Sequence, residues 1–269
     1  MTLYDKMLER YPSDDRNAKY EVMQKTVLSG LRRGGFFEKA AFYGGTCLKI
    51  FHGLGRWSED MDFSLLAPDS DFNFESYFPA IISECESIGR TVEIKKKDKK
   101  TFGRVESAFL KDNTSTYDIS FQTERSVKVK IEVDINPPMQ FETEQKVLLE
   151  PYPVMINCMT QSCLFAGKMH ALVFRNWRNR VKGRDWYDFE WYIRNRIALD
   201  FGHLQERIRE FNGEEMTKEQ FILTLKERLR STDMSQVKAD VRDFIIEPRE
   251  LDIWSNDYFL QLSDMITWK

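Results

Sequence analysis

The sequence predicts an α/β (α+β) domain with a small mixed β-sheet, followed by an all-helical domain. Two observations lead to this fold class. Residues Val127–Ile135 alternate between apolar and charged side chains, which is the period of a half-buried β-strand. From about residue 161 onward, apolar side chains recur at the three- and four-residue spacing of amphipathic helices. We place the domains at residues 1–155 and 156–269, with a functional cleft between them.

Composition limits the class of protein. A chain of 269 residues with 42% hydrophobic residues can bury a substantial core. No apolar run reaches membrane-spanning length and the N-terminus lacks a signal-peptide pattern, so we expect a cytoplasmic protein that does not contact the membrane. The four cysteines have no CxxC spacing, which argues against a zinc knuckle. A net charge of −3 means that any nucleic-acid binding must come from local basic patches.

The first domain reads as helices and strands around one central segment, Tyr43–Phe63. Helices are predicted at residues 15–33 and 75–88, and the first ends at Gly34-Gly35. Strands are predicted at residues 92–95, 104–110, 117–122 and 127–135, with a hairpin turn at Asp112-Asn113-Thr114.

The second domain begins after an irregular connector. Prolines stand at both ends of residues 137–153, which predicts a segment without regular structure. The helices that follow are predicted at residues 161–180, 184–196, 203–212, 217–230, 234–246 and 257–267.

The central segment opens with a glycine turn, Gly44-Gly45-Thr46. Glycines allow backbone N–H groups to approach a phosphate closely, and a helix N-terminus favours negative charge. A helix is predicted to start near Thr46, so this turn is a candidate phosphate-binding element. Arg56 and Ser58 follow in a glycine-rich loop and are candidates for the same role.

An Asp-x-Asp pair, Asp60 and Asp62, follows within a strand-like run. Residues i and i+2 of a strand face the same way, so both carboxylates would share one face while Met61 and Phe63 pack on the other. Paired carboxylates suit a hard divalent cation such as Mg²⁺, with Mn²⁺ as the alternative. An Asp-x-Asp alone is usually a solvated face. Its combination with the glycine turn points to metal-dependent nucleotidyl transfer.

A resemblance to a known family supports this interpretation. The stretch GGTCLKIFHGLGRWSEDMDF resembles the first motif of the AbiEii/AbiGii toxin family, which includes the MenT toxins. These are nucleotidyltransferases of the DNA polymerase β-like superfamily. Downstream, Lys168-Met169-His170-Ala171-Leu172 and Arg184-Asp185-Trp186-Tyr187-Asp188 resemble the family's Lys-x-x-Ala-Leu and Arg-Asp-x-x-Asp elements.

The resemblance implies further site residues. A third carboxylate on a neighbouring strand would join the metal site; Asp134 is the first candidate and Glu132 the alternative on the same face. Lys168, which interrupts the apolar stripe of its helix, would carry charge for the triphosphate. Asp185 or Asp188 would complete the cleft, and Arg184 would bind phosphate or pair with a carboxylate. The sequence does not decide between the two aspartates, and Asp185 also suits a helix N-terminus.

Basic and aromatic residues are interleaved near the second element, where they could contact an RNA backbone and stack on bases. They are Arg175, Trp177, Arg178, Arg180, Lys182, Arg184 and Trp186, with a further basic run at residues 95–100.

The resemblance therefore implies a toxin of a type IV-like toxin–antitoxin or abortive-infection system. It would transfer a nucleotide from a nucleoside triphosphate to an acceptor such as tRNA, and a cognate antitoxin would be its protein partner. Two alternatives are a nucleotidyltransferase that modifies a small molecule, such as an antibiotic, or a protein, and a non-catalytic nucleotide-binding module.

Overall fold

The computed structural model describes residues 1–11, 16–96, 114–122, 127–175 and 181–269. Within these residues the strands are β1 Ala40–Tyr43, β2 Asp60–Leu65, β3 Val92–Lys96, β4 Thr114–Phe121, β5 Lys128–Asp134, β6 Thr143–Leu148 and β7 Val154–Met159. They form one mixed sheet in the order β3-β4-β5-β2-β1-β7-β6.

The helices surround this sheet and make up most of the C-terminal half. They are α1 Leu3–Leu8, α2 Arg16–Arg33, α3 Gly44–His52, α4 Phe78–Ser87, α5 Gln161–Phe174, α6 Gly183–Arg194, α7 Phe201–Asn212, α8 Lys218–Ser231, α9 Met234–Val241 and α10 Asn256–Ser263. The helical pattern after residue 160 is therefore present, although the predicted helix at 234–246 divides into α9 and a 3₁₀ turn at 242–244.

The central strand β2 pairs with β1 in the antiparallel sense and with β5 in the parallel sense. Its alternation buries Met61, Phe63 and Leu65, which are at most 1% exposed, on the apolar face. Helix α2 contacts β5 and β7 and also packs against α4. The ring of Phe36 meets Phe63 edge-on at 5.1 Å between centroids, which closes this part of the core.

The predicted connector at 137–153 is wrong, because β6 lies within it and β7 begins directly after it. The prolines stand at the ends of these strands, so they separate elements instead of excluding them. Strand β7 lies parallel to β1 and crosses the 155/156 boundary, and the division into two domains stays a prediction. The predicted strand at 104–110 and most of its hairpin turn lie outside the described residues.

No helix in the described part of the chain combines the length and the apolar character needed to cross a membrane.

Candidate active site

A cleft of about 460 Å³ lies between the polar face of the sheet and helices α5, α6 and α7. Its walls include most residues singled out in the sequence: Gly44, Gly45, Arg56, Ser58, Asp60, Asp62, Glu132, Asp134, Lys168, Arg184 and Asp185. The two sequence motifs, more than 100 residues apart, therefore meet in one cavity. A cavity of this size matches those that hold nucleotide-sized ligands.

The glycine turn is required by its neighbours. Gly44 has φ +82°, and a side chain there would collide with the carboxylate of Asp62. A Cβ on Gly45 would lie 2.8 Å from Arg56 Nη2 and 3.0 Å from Ser58 Oγ. Helix α3 begins at Gly44, before the predicted start, and its first two residues line the cleft, so the N-terminus of the helix lies at the cavity.

Thr46 does not have the predicted phosphate-facing position. It is fully buried, and its hydroxyl donates a hydrogen bond to the carbonyl of Asp60. It lies behind the cleft wall and fixes the start of β2 against α3. Gln24 on α2 supports the same strand entry, since its side-chain amide donates to the carbonyls of Ser58 and Glu59 at 2.9 and 3.1 Å.

Asp60 and Asp62 share the cleft-facing side of β2, as the alternation predicts. Burial raises the pKa of Asp62 to about 7, and the negative charges of Glu132 and Asp60 add to the effect. Lys168 and Lys130 act in the opposite direction without cancelling it. The acid pair is therefore a site of excess negative charge.

The strand register places Glu132 beside this pair. In the parallel pairing of β2 with β5, Asp62 lies opposite Glu132, whereas Asp134 lies opposite Ser64. Asp134 also accepts a hydrogen bond from the backbone N–H of Asn136 at 3.1 Å. The geometry thus favours Glu132, the alternative candidate, over Asp134 as the carboxylate next to the pair. Glu132 forms an ion pair with Lys130 on the same strand.

These side chains fit a cation that takes part of its coordination from water and substrate. Within the described residues, no three His, Cys, Asp or Glu side chains converge as a ready-made metal cage. Mg²⁺ commonly binds through one or two carboxylates and completes its shell with waters and phosphate oxygens. The hard oxygens and excess charge of Asp60 and Asp62 suit that mode.

The helical wall, opposite the sheet, carries a cluster of acidic and basic side chains whose charges neutralise one another. Lys168 on α5 reaches α6, where its Nζ lies 3.0 Å from Asp185 Oδ1 and 2.8 Å from Asp188 Oδ2. Burial opposes ionisation of Asp185, but Lys168 and Arg175 outweigh it and lower its pKa to about 2. Asp185 borders the cleft, whereas Asp188 is fully buried behind it.

Arg56 joins the glycine-rich loop to this cluster. Its Nε and Nη2 donate to the two carboxylate oxygens of Asp188 at 2.6 and 2.7 Å, although the residues are 132 positions apart. Trp57 N–H donates to the carbonyl of Phe244 at 2.8 Å, so the loop is also paired with the helical half. Arg56 was predicted to bind phosphate. Its guanidinium borders the cleft, but two of its donors are already used by the carboxylate of Asp188.

Basic side chains form the rim of the cleft. Arg184 stacks over the ring of Phe244 at 4.3 Å, and Arg175 and Lys182 also border the cavity. Burial lowers the pKa of Lys182 to about 8, and repulsion from Arg175 contributes. The remaining basic residues of this stretch, between 176 and 180, lie outside the described residues, as does most of the 95–100 run.

Several cleft residues were not predicted. Tyr43, Lys130, His203 and Arg207 all border the cavity. Lys130 shares a strand face with Glu132, so alternation could have identified it. The others become neighbours of the site only through the packing of β1 against β2 and of α5 against α7.

Sequence comparison agrees with this geometry. The family described as "Nucleotidyl transferase AbiEii toxin, Type IV TA system" matches residues 26–262, most of the chain. The chain belongs to this family. Membership makes it a nucleotidyltransferase toxin, which implies a nucleotide substrate and an antitoxin partner, and it confirms the resemblance found in the motifs. No curated relative matches the sequence.

Solved structures share the fold at low sequence identity. JHP933 from Helicobacter pylori aligns with a TM-score of 0.55 and 16% identity, covering 94% of this chain and 90% of its own. A proposed nucleotidyltransferase from H. pylori gives a TM-score of 0.54 at 16% identity, with 94% of each chain covered. MenT4, a nucleotidyltransferase toxin from Mycobacterium tuberculosis H37Rv, gives 0.51 at 15%, covering 98% of this chain and 92% of its own. The predicted fold class is confirmed.

Proposed function

We propose that the chain is a Mg²⁺-dependent nucleotidyltransferase that moves a nucleotide from a nucleoside triphosphate to an RNA acceptor, with tRNA as the first candidate. The observation that carries this proposal is the meeting of the acid pair Asp60/Asp62 with Lys168 across one cleft. Nucleotidyl transfer needs positive charge around the attacked phosphate, and both halves of such a site are present.

The glycine turn would bind the triphosphate. The first N–H groups of α3 have no helical acceptor, and the absence of side chains at Gly44 and Gly45 lets Asp62, Arg56 and Ser58 lie close to this turn. Asp60 and Asp62, with Glu132 next to them, would hold the divalent cation. When bound, that cation neutralises the charge on the phosphate oxygens and favours deprotonation of the attacking hydroxyl.

The helical wall would orient the triphosphate. The ammonium group of Lys168 is close enough to the acid pair to act against the raised pKa of Asp62, and Asp185 fixes its position from the cleft side. Asp188 acts behind the wall by holding Arg56 and Lys168 at once. We therefore assign Asp185 to the cleft and Asp188 to positioning.

The acceptor is proposed from the rim. Arg175, Lys182 and Arg184 offer several cations near the cavity mouth, which suits a polyanionic strand more than a small neutral acceptor. The toxin role of the family agrees with modification of an essential RNA. We also propose a cytoplasmic location, where such an RNA is found. A small-molecule or protein acceptor is the second candidate.

Label transfer tests the proposal. The protein is incubated with Mg²⁺, each α-labelled nucleoside triphosphate in turn, and purified tRNA or total RNA. Incorporation into tRNA that depends on Mg²⁺ and disappears in Asp60→Asn/Asp62→Asn is the expected result. Label on another RNA would identify that RNA as the acceptor in place of tRNA. Absence of label on RNA, protein and small acceptors alike would contradict the proposed enzyme.

A further inference from the structure

Part of the cleft is lined by residues of β1, β7 and the helices α5 and α7. We call it the α7 lobe and define it by Tyr43, Met159, Leu164, His203, Arg207 and Phe211, all of which border the same cavity. The spacing of His203, Arg207 and Phe211 is four residues each, so one face of α7 supplies half of this lining. The triphosphate-binding groups described above use none of these side chains.

Arg207 is an unusual member of this lining. Its Nε is buried and has no hydrogen-bond partner among the residues that the structure describes. Its guanidinium lies over the ring of Phe211 at 5.2 Å, and a Cβ on Gly167 of α5 would be 3.9 Å from Nε. A buried donor without an acceptor is costly unless a ligand supplies the acceptor.

His203 adds a second unused group to the lobe. It is 1% exposed, and its Nδ1 has no hydrogen-bond partner within the described residues. Burial lowers the pKa of His203 to about 3, and Arg207 contributes, so the ring is neutral near pH 7. The lobe thus offers an unused arginine donor and a neutral imidazole nitrogen one helical turn apart.

Tyr43 connects this lobe to the catalytic half. It precedes the glycine turn and lies opposite Asp62 in the β1–β2 pairing. Burial raises the pKa of its hydroxyl, Asp62 and Asp134 add to this effect, and Arg207 opposes it. Tyr43 therefore lies within electrostatic reach of both Asp62 and Arg207. A ligand bound at the glycine turn can extend along Tyr43 toward Arg207.

We propose that the α7 lobe binds the base of the nucleoside triphosphate and that Arg207 selects bases carrying a ring carbonyl, namely guanine, cytosine and uracil, over adenine. This inference rests on the proposed function. A guanidinium is only a donor, and it pairs well with the carbonyl oxygens and ring nitrogens of these bases. Adenine has ring-nitrogen acceptors but no carbonyl oxygen, and its amino group, which is a donor, stands beside N1 and N7, so that edge cannot accept two guanidinium donors side by side. The ring of Tyr43, which borders the same cavity, supplies aromatic surface for the base.

Calorimetry with nucleotide analogues tests the assignment. Each of the ATP, GTP, CTP and UTP analogues with an α,β-methylene bridge is titrated into the full chain with Mg²⁺. At least one carbonyl-bearing analogue is expected to bind about tenfold or more tightly than the ATP analogue. Arg207→Met is expected to remove this preference while binding of the ATP analogue changes little.

Two further variants keep the result interpretable. Arg207→Lys retains the charge but loses the planar donors, so it is expected to lose the preference even if Arg207→Met folds poorly. Arg209→Met is the matched control, because Arg209 lies on the exposed side of α7 and pairs with Glu206. It is expected to leave all affinities unchanged.

The outcomes separate the inference from the function on which it rests. An equal loss of affinity for all analogues in Arg207→Met would place Arg207 on the phosphates and overturn the base assignment. An unchanged preference in both Arg207 variants, or equal binding of all analogues by the wild type, would also overturn it while label transfer persists. A wild type that binds no analogue and transfers no label would remove the proposed function itself.

Discussion

On the sheet wall of the cleft, Asp60 and Asp62 lie beside Glu132, and burial together with these neighbouring charges raises the pKa of Asp62 to about 7. On the helical wall, Asp185 and Asp188 are matched by Lys168 and Arg56, and the pKa of each aspartate is lowered despite burial. Each wall therefore contains a pair of aspartates, but the charge of the first pair is not neutralised by neighbouring cations, whereas the charge of the second pair is.

The difference separates binding from positioning. The sheet wall keeps an unbalanced charge that a cation and a triphosphate–metal complex can neutralise, at a cost to the stability of the free protein. The helical wall is already balanced, so its ion pairs hold α5, α6 and the glycine-rich loop in place. Removing the acid pair from the first wall should harm activity, whereas removing Asp188 from the second should mainly harm folding.

The largest expected effect is on the sheet wall. Asp60→Asn/Asp62→Asn should lower the rate of label transfer by about 10²–10³-fold or more, the order found when charge stabilisation is removed from a transition state. Stability should not fall. The folded-state pKa of Asp62 is raised from 3.8 to about 7, so its ionisation costs stability progressively between these two pH values, and the full penalty is present above about pH 7. Urea unfolding at about pH 8 checks this, and a large stability loss would contradict it.

Asp188→Ala should have its main effect on folding. It leaves the buried guanidinium of Arg56 without its bidentate partner and removes one partner of Lys168. Breaking such a buried pair typically costs about 3–5 kcal/mol in the free energy of unfolding. Asp264→Asn is the control, because Asp264 is an exposed member of a surface pair with Lys226 and should cost less than about 1 kcal/mol. Equal losses in the two variants would argue against the positioning role.

The smallest effect is expected at the rim. The pKa of Lys182 is lowered to about 8, so its positive charge is lost as the pH rises through that value. The affinity for tRNA should therefore fall a few-fold between about pH 7 and about pH 9 in the wild type, and less in Lys182→Arg, which stays charged. Calorimetric titrations with tRNA across this range measure the change. Parallel curves for the two proteins would exclude Lys182 from acceptor binding.

The sequence supports the fold prediction where local periodicity is strong. Strand β5 and the helices after residue 160 follow their apolar patterns. Strand β1 lacks such a signal because it has four residues that are almost entirely buried, so it shows no alternation. Strand β6 is an edge strand with mostly polar side chains between proline-containing segments, which the sequence alone cannot separate from a connector.

The sequence predicts which residues belong to the site, but not which of them contact one another. The glycine turn, the acid pair and Lys168 are visible as motifs. The choice between Asp134 and Glu132 depends on the register of β2 against β5, which no single strand determines. The pairing of Arg56 with Asp188 joins residues 132 positions apart, and the α7 lobe exists only after α7 packs against α5.

Thermal unfolding with and without Mg²⁺ and an uncleavable nucleoside triphosphate analogue tests the contrast between the walls most directly. A ligand present at about 100 times its dissociation constant stabilises the folded state by about 2.7 kcal/mol. We expect a corresponding rise in Tm for the wild type, no rise for Asp60→Asn/Asp62→Asn, and a rise from a lower starting Tm for Asp188→Ala. A rise in the first variant, or its absence in the second while that protein remains folded, would contradict the account.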